Sequence, residues 1–266
     1  MITYPFTYRR AKSVAEAEAM LKAAPESKLL SGGQTLIAAM KMRLANPPEL
    51  IDISGIKELD YIRVANGAVA IGAATTHWAV ATSADVAKAI PALAHLASII
   101  GDPAVRYKGT IGGSVANNDP AADYPSAVLA LGATIKTNKR SIAADDFFTG
   151  MFSTALDENE IVTEISFPIP EKAAYKKFAN PASRYAMVGV FAARTKGSAR
   201  VAVTGAAPCV FRVPEMEAAL AKNFTADAVA NIKVGADGMN SDLHGSAQYR
   251  AHLVTVMAKR AVAEAA

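Results

Sequence analysis

Lys28-Leu29-Leu30-Ser31-Gly32-Gly33-Gln34-Thr35-Leu36 runs from a short apolar strand through a diglycine into residues whose helical spacing continues to Leu44. Two glycines between a strand and a helix let the backbone approach an anion closely, with free N–H groups aimed at it. A second stretch, Gly109-Thr110-Ile111-Gly112-Gly113-Ser114, repeats the theme. Ser31, Gln34 and Thr35 in the first turn, and Thr110 and Ser114 in the second, add uncharged donors for phosphate oxygens. The two turns together predict a diphosphate held between loops. A side chain placed at Gly33 or Gly112 is expected to cost the ligand while leaving most of the fold. Neither turn is the G-x-G-x-x-G of a Rossmann fold or the G-x-x-x-x-G-K-[ST] of a P-loop, and no G-x-S-x-G elbow occurs. Nicotinamide enzymes, P-loop kinases and serine hydrolases therefore drop in rank.

Working outward, residues 13–24 read as an amphipathic helix with Ser13 and Glu16 as a capping box and Pro25 as its stop. Pro47-Pro48 ends the helix after the first diglycine, and residues 49–53 resume a strand. Residues 62–74 read as a hairpin turning at Asn66-Gly67, followed by helices over 76–83 and 91–100. Asp119-Pro120 reads as an N-cap and first position of a helix through Leu131 that Gly132 terminates, with a strand at 133–137. A strand at 159–169 leads to a linker at 168–172. Beyond it lie paired strands at 186–194 and 199–204, then helices at 215–222 and 247–263. Strands and helices mix without strict βαβ alternation, which predicts an α+β fold.

The chain has 266 residues, enough for about two domains at roughly 150 residues each. With 52% apolar and 20% charged residues, wholesale disorder and low-complexity architectures are excluded. The net charge of +4 is scattered, which argues against a nucleic-acid face. Neither a signal-peptide core nor an apolar run of roughly 18 residues is present, so no transmembrane segment and a cytoplasmic location are expected. A single cysteine, Cys209, excludes an internal disulfide or an iron–sulfur cluster built from this chain. The histidines, His77, His95, His244 and His252, show no metal-binding helical spacing.

Ser31 to Leu36 followed by Met40-Lys41-Met42-Arg43-Leu44, with Gly101-Asp102-Pro103-Ala104-Val105-Arg106 and Gly109 to Asn117, resembles the FAD-binding medium subunit of molybdenum hydroxylases. The likeness is to the carbon monoxide dehydrogenase medium-chain type. It spans essentially the whole chain, including Asp119-Pro120-Ala121-Ala122-Asp123 and Gly245 to Arg250. The resemblance implies an FAD-binding domain of the p-cresol methylhydroxylase and vanillyl-alcohol oxidase type over 1–170, with two α/β subdomains at about 1–56 and 57–170. A small C-terminal domain of antiparallel sheet plus helices would occupy 171–266.

Carried over by motif, Leu29, Leu30, Ser31, Gly32, Gly33, Gln34, Thr35 and Leu36 would hold the diphosphate with Thr110, Gly112, Gly113, Ser114 and, in the same motif, Asn117. Asp123 would accept from a ribose hydroxyl; from the residues alone it is equally a helix N-terminal charge. Ile100 and Gly101 would lie against the flavin ring, and Val162 would add an apolar contact. Lys177 and Tyr185 match a lysine and an aromatic near the isoalloxazine, whereas the residues alone read as a solvated lysine and a core tyrosine. The chain departs from the family pattern in having Gln34-Thr35 for His-Ser, and Ser114 for Asn, which shortens the reach there. The four-cysteine insertion of one family branch is absent.

The implied function is that of an oxidoreductase subunit. Substrate would be oxidised at a molybdenum cofactor on a large subunit, electrons would cross 2Fe-2S clusters on a small subunit, and non-covalent FAD here would pass them to an external acceptor. No catalytic side chain and no metal ligand is expected on this chain. The implied assembly is a dimer of heterotrimers. Two alternatives stand beside it: a self-sufficient FAD oxidoreductase of the same fold, and a non-catalytic flavin-binding module.

Overall fold

The computed structural model describes residues 2–265. The N-terminal layer comprises β1 (Thr7–Arg10), α1 (Val14–Ala23), β2 (Lys28–Leu30), α2 (Leu36–Lys41) and β3 (Glu49–Asp52). Its three strands form a parallel sheet with β3 between β1 and β2. Ser13 caps α1 by accepting from the Glu16 N–H at 3.1 Å. The Glu16 carboxylate reaches back to the Lys12 N–H, one residue short of a strict capping box. Helix α2 stops earlier than its spacing predicts. Arg43 takes φ 59, and the Leu44 and Arg43 N–H groups fold back to the Ala39 and Met40 carbonyls, a Schellman end built without glycine.

A five-stranded antiparallel sheet forms the middle of the molecule. After a 3-10 turn at Lys57–Leu59 come β4 (Ile62–Ala65), β5 (Ala68–Gly72), α3 (His77–Thr82), α4 (Ala84–Ala89), α5 (Pro91–Ser98), α6 (Pro103–Lys108) and α7 (Ile111–Asn117). Then follow α8 (Tyr124–Ala130), β6 (Thr134–Thr137), β7 (Ser141–Ala143), α9 (Ala144–Phe147), β8 (Phe148–Gly150), β9 (Ser153–Thr154) and β10 (Val162–Pro168). The strand order is β4-β5-β10-β6-β7, so the late strand β10 inserts between earlier ones and sets Ile165 beside Ile71 and Ile135. Asn66 and Gly67 both take positive φ, the two-residue hairpin expected of Asn-Gly.

The helix expected to open at Asp119-Pro120 opens instead at Tyr124, with Pro125 in its first turn. Asp119 closes a local turn by accepting from the Ala121 N–H at 2.9 Å. The carbonyls of Pro120 and Ala122 are claimed by the C-terminal part of the chain, so no helix can form there. Gly132 ends α8 at φ 61, as read.

Only three residues separate β10 from β11 (Lys172–Ala179), a strand that sequence patterning did not reveal. It begins an antiparallel meander with β12 (Ala186–Thr195), β13 (Ser198–Thr204) and β14 (Phe211–Arg212), followed by α10 (Pro214–Lys222), α11 (Ala226–Val229) and α12 (Ala247–Ala265). Side-chain alternation divides this sheet between two cores. Ala174, Val188, Val190, Ala192, Val201 and Val203 pack under α10 and α12. Tyr175, Phe191, Ala193 and Ala202 point the other way and join Leu93, Tyr124 and Leu129 of the central core. Among the described residues, no helix is long and apolar enough to cross a membrane.

Candidate functional site

The Ser31–Thr35 loop leaves β2 and enters α2. Gly33 takes φ +70, which favours glycine. Among the described residues, the N–H groups of Gly32, Gly33, Gln34 and Thr35 donate to no acceptor of the chain. Four consecutive free donors are what an anion-binding nest requires. Leu29, Leu30 and Leu36 flank the loop half-buried, while Gln34 and Thr35 are exposed. Gly32 packs face to face on the Lys108–Gly109 backbone, and Ser31 Oγ lies 2.9 Å from Thr110 Oγ1. The two glycine-bearing segments are thus brought together.

The second segment differs from its expected form. It is the first turn of α7, and its backbone donors are used within the fold. The Ile111 and Gly112 N–H groups bond the Thr75 and Ala73 carbonyls, and the Gly113 N–H bonds the capping Thr110 Oγ1 at 3.2 Å. The space beside Gly112 is filled by Ala73, so this glycine serves the packing of α7 on β5. Helical spacing places Thr110, Gly113, Ser114 and Asn117 on one face, with Gly113 exposed and Ser114 and Asn117 half-buried. Val162, on the β10 strand that packs against α7, is buried in the central core.

A third segment, Ile99–Gly101, presents its carbonyls to two cations. Arg106 Nη1 donates to the Ile100 carbonyl at 2.9 Å, and Lys177 Nζ donates to the Ile99 carbonyl at 2.8 Å. Ile100 and Gly101 are half-buried, and Gly101 takes φ +50. Lys177 is not solvated: its side chain is 4% exposed and lies 3.1 and 3.2 Å from the two oxygens of Asp123. One ammonium therefore joins Ile99–Gly101 to Asp123. Asp123, 5% exposed, also accepts from the Tyr175 hydroxyl at 2.5 Å. Burial pushes its carboxyl up, against the pull of Lys177 and the Tyr175 hydrogen bond. Burial, then the charge of Asp123, raises the Tyr175 hydroxyl.

Tyr185 is not a core residue. It sits in the turn between β11 and β12, 49% exposed. Sequence reasoning missed Tyr175, although its place two residues before Lys177 on one strand puts both on the same face. It also missed His77. The His77 N–H donates to the Gly109 carbonyl at 2.9 Å, and its ring is buried against Gly109 and Tyr124. Burial, then Arg106, pushes His77 down to about 4, so it is neutral at neutral pH.

Residues 4–170 match the family described as FAD binding domain in molybdopterin dehydrogenase. Residues 173–265 match the CO dehydrogenase flavoprotein C-terminal domain. The glyceraldehyde dehydrogenase medium chain of Sulfolobus acidocaldarius is 36% identical, covering 99% of this chain and 100% of its own. The carbon monoxide dehydrogenase medium chain of Hydrogenophaga pseudoflava is also 36% identical, over 98% and 97%. In the reconstituted CO dehydrogenase from Oligotropha carboxidovorans, a chain 34% identical superposes with a TM-score of 0.89 over 100% of this chain and 99% of that one. This chain belongs to the family of FAD-binding medium subunits of the molybdenum hydroxylases.

Proposed function

We propose that the Ser31–Thr35 nest, seated against Gly109–Thr110, holds the diphosphate of a non-covalently bound FAD. The observation that carries this reading is the run of four free N–H groups in that loop. Ser31, Thr110, Ser114 and Asn117 supply side-chain donors around it. Ile100 and Gly101 would face the flavin ring, Tyr185 would offer an exposed aromatic beside it, and Asp123 would meet a ribose hydroxyl. A carboxylate has about four acceptor positions. Tyr175 on Oδ1 and Lys177 across both oxygens leave one on Oδ2.

Bound FAD supplies the redox chemistry, taking electrons and passing them to an external acceptor. The chain's own part is to bind and orient the cofactor and to set the charge around it. We place the molybdenum cofactor on a large partner subunit and the 2Fe-2S clusters on a small one, in a cytoplasmic dimer of heterotrimers. Relatives named for glyceraldehyde and for carbon monoxide align with this chain over 100% and 97% of their own length at the same 36% identity, which supports substrate choice residing on another subunit.

The test is reconstitution of the apo-chain with FAD or FMN, followed by acid precipitation. FAD is expected to bind, to be reduced by dithionite, to leave the protein in acid, and to show no substrate-dependent reduction without partners. Equal affinity for FMN would remove the diphosphate clamp. Turnover of an aldehyde or of carbon monoxide by the single chain would overturn the assignment to a partner-dependent subunit.

A further inference from the structure

The Asp119–Asp123 loop has no regular structure, yet it ends on a buried carboxylate. What fixes the loop comes largely from the C-terminal sheet. Thr204 Oγ1 lies 3.0 and 2.6 Å from the Pro120 and Ala122 carbonyls, and the Gly205 N–H donates to Pro120 at 2.8 Å. Tyr175 and Lys177, from one face of β11, hold the carboxylate itself.

Tyr175 is fully buried, and Asp123 is its hydroxyl's hydrogen-bond partner. The neighbouring strand leaves room for that hydroxyl only because residue 189 is glycine. A Cβ there would overlap the Tyr175 hydroxyl and stand 2.9 Å from Thr204 Cγ2. Lys177 alone, one ammonium 3.1 and 3.2 Å from the two oxygens, would leave the carboxylate able to tilt about that contact. The phenol fills the second acceptor position of one oxygen, Oδ1, and pins the carboxylate plane, so the acceptor position left over lies on the other, Oδ2.

We infer that Tyr175 is a positioning residue of the cofactor site, acting through Asp123 to present Oδ2 to a ribose hydroxyl of FAD. This rests on the Asp123–ribose contact proposed above. The Tyr175 hydroxyl meets no ligand itself; it fixes the group that does. Gly189 belongs to the same device, because any side chain there would displace the phenol.

The experiment compares FAD with FAD analogues lacking the 2′- or 3′-hydroxyl of the adenosine ribose, titrated into apo wild-type chain and into Tyr175→Phe. Wild type is expected to bind FAD about tenfold more tightly than one of the deoxy analogues. The variant is expected to lose about tenfold for FAD and to bind FAD and that analogue alike, since a hydrogen bond to a charged group is worth at least this factor. A purely structural tyrosine would weaken FAD and analogue equally, and that outcome, or unchanged FAD affinity, overturns the proposal. Should Tyr175→Phe fail a thermal-melt check of folding, Asp123→Asn replaces it. Retained discrimination between FAD and analogue in that variant would also overturn the proposal. Wild type that binds FAD but not more tightly than either analogue defeats this inference and the ribose contact, while leaving FAD binding intact. Wild type that binds no FAD defeats the functional reading itself.

Discussion

A Cβ built on Gly32 would overlap the Lys108 carbonyl oxygen and stand 2.7 Å from the Gly109 Cα, so the two glycine-bearing segments touch backbone to backbone. Backbone cannot swing aside as a side chain can. Gly32→Ala should therefore part the segments and lower flavin affinity by at least a hundredfold, read as bound flavin per chain from the absorbance near 450 nm. Gly33→Ala is milder. Its Cβ meets only the flexible ends of Ile37 and Leu30, and its positive φ costs about 1 kcal/mol. Gly32→Ala with full flavin occupancy would refute the need for this contact.

Gly112 predicts a different phenotype. A Cβ there lies 2.6 Å from the Ala73 carbonyl oxygen, inside the packing of α7 on β5. Gly112→Val should destabilise the apo-chain by about 2–3 kcal/mol, roughly 5–10 °C in melting temperature. Denaturant unfolding of the flavin-free protein checks this, and an unchanged midpoint would return Gly112 to a purely ligand-facing role.

The Lys177–Asp123 pair should behave as a buried ion pair. Lys177→Met leaves Asp123 without its cation and is expected to cost about 3–5 kcal/mol. Adding Asp123→Asn should recover much of that loss, because the orphaned charge disappears. Strict additivity in the double-mutant cycle would mean that the two groups are not coupled.

Acid should weaken the fold through His77. Its pKa falls from an unfolded value near 6.5 to about 4 when folded. Below pH 6.5 the unfolded chain therefore binds the proton that the folded chain refuses. The stability held above pH 6.5 is lost as pH falls toward 4, by up to about 3 kcal/mol. His77→Asn should flatten that slope between pH 6.5 and 4, measured by urea unfolding at each pH. An unaltered slope would place the acid sensitivity elsewhere.

Much of this architecture was legible where local chemistry decides it. The strand–diglycine–helix order around Gly32, the Asn66-Gly67 hairpin and the Gly132 helix end each depend on residues next to one another. Reading failed where distant partners decide. Asp119-Pro120 has the chemistry of a helix start, but Thr204, 84 residues away, takes the Pro120 carbonyl. Lys177 has the look of a surface lysine until Asp123, 54 residues earlier, is set beside it. Arg43 ends α2 in a conformation usually left to glycine or asparagine, so nothing in its type announced it. The second glycine pair carried a phosphate-loop signal, yet its N–H groups are used by Ala73 and Thr110.

The sheet shared by two cores also sets a timetable for synthesis. A ribosome releases the N-terminal segments first, but Tyr175, Phe191 and Ala202 complete the wall against which Tyr124 and Leu129 pack. At roughly 5–20 residues per second, the stretch after β10 takes on the order of ten seconds to emerge. Until those strands arrive, the side of α8 that packs on β12 and β13 is expected to lack its cover. The meander β11–β12–β13 links neighbouring strands through short connections and closes quickly once present. The Asp119–Asp123 loop gains its supports only once Tyr175, Lys177 and Thr204 have emerged, so the ordering of this loop is expected late in synthesis.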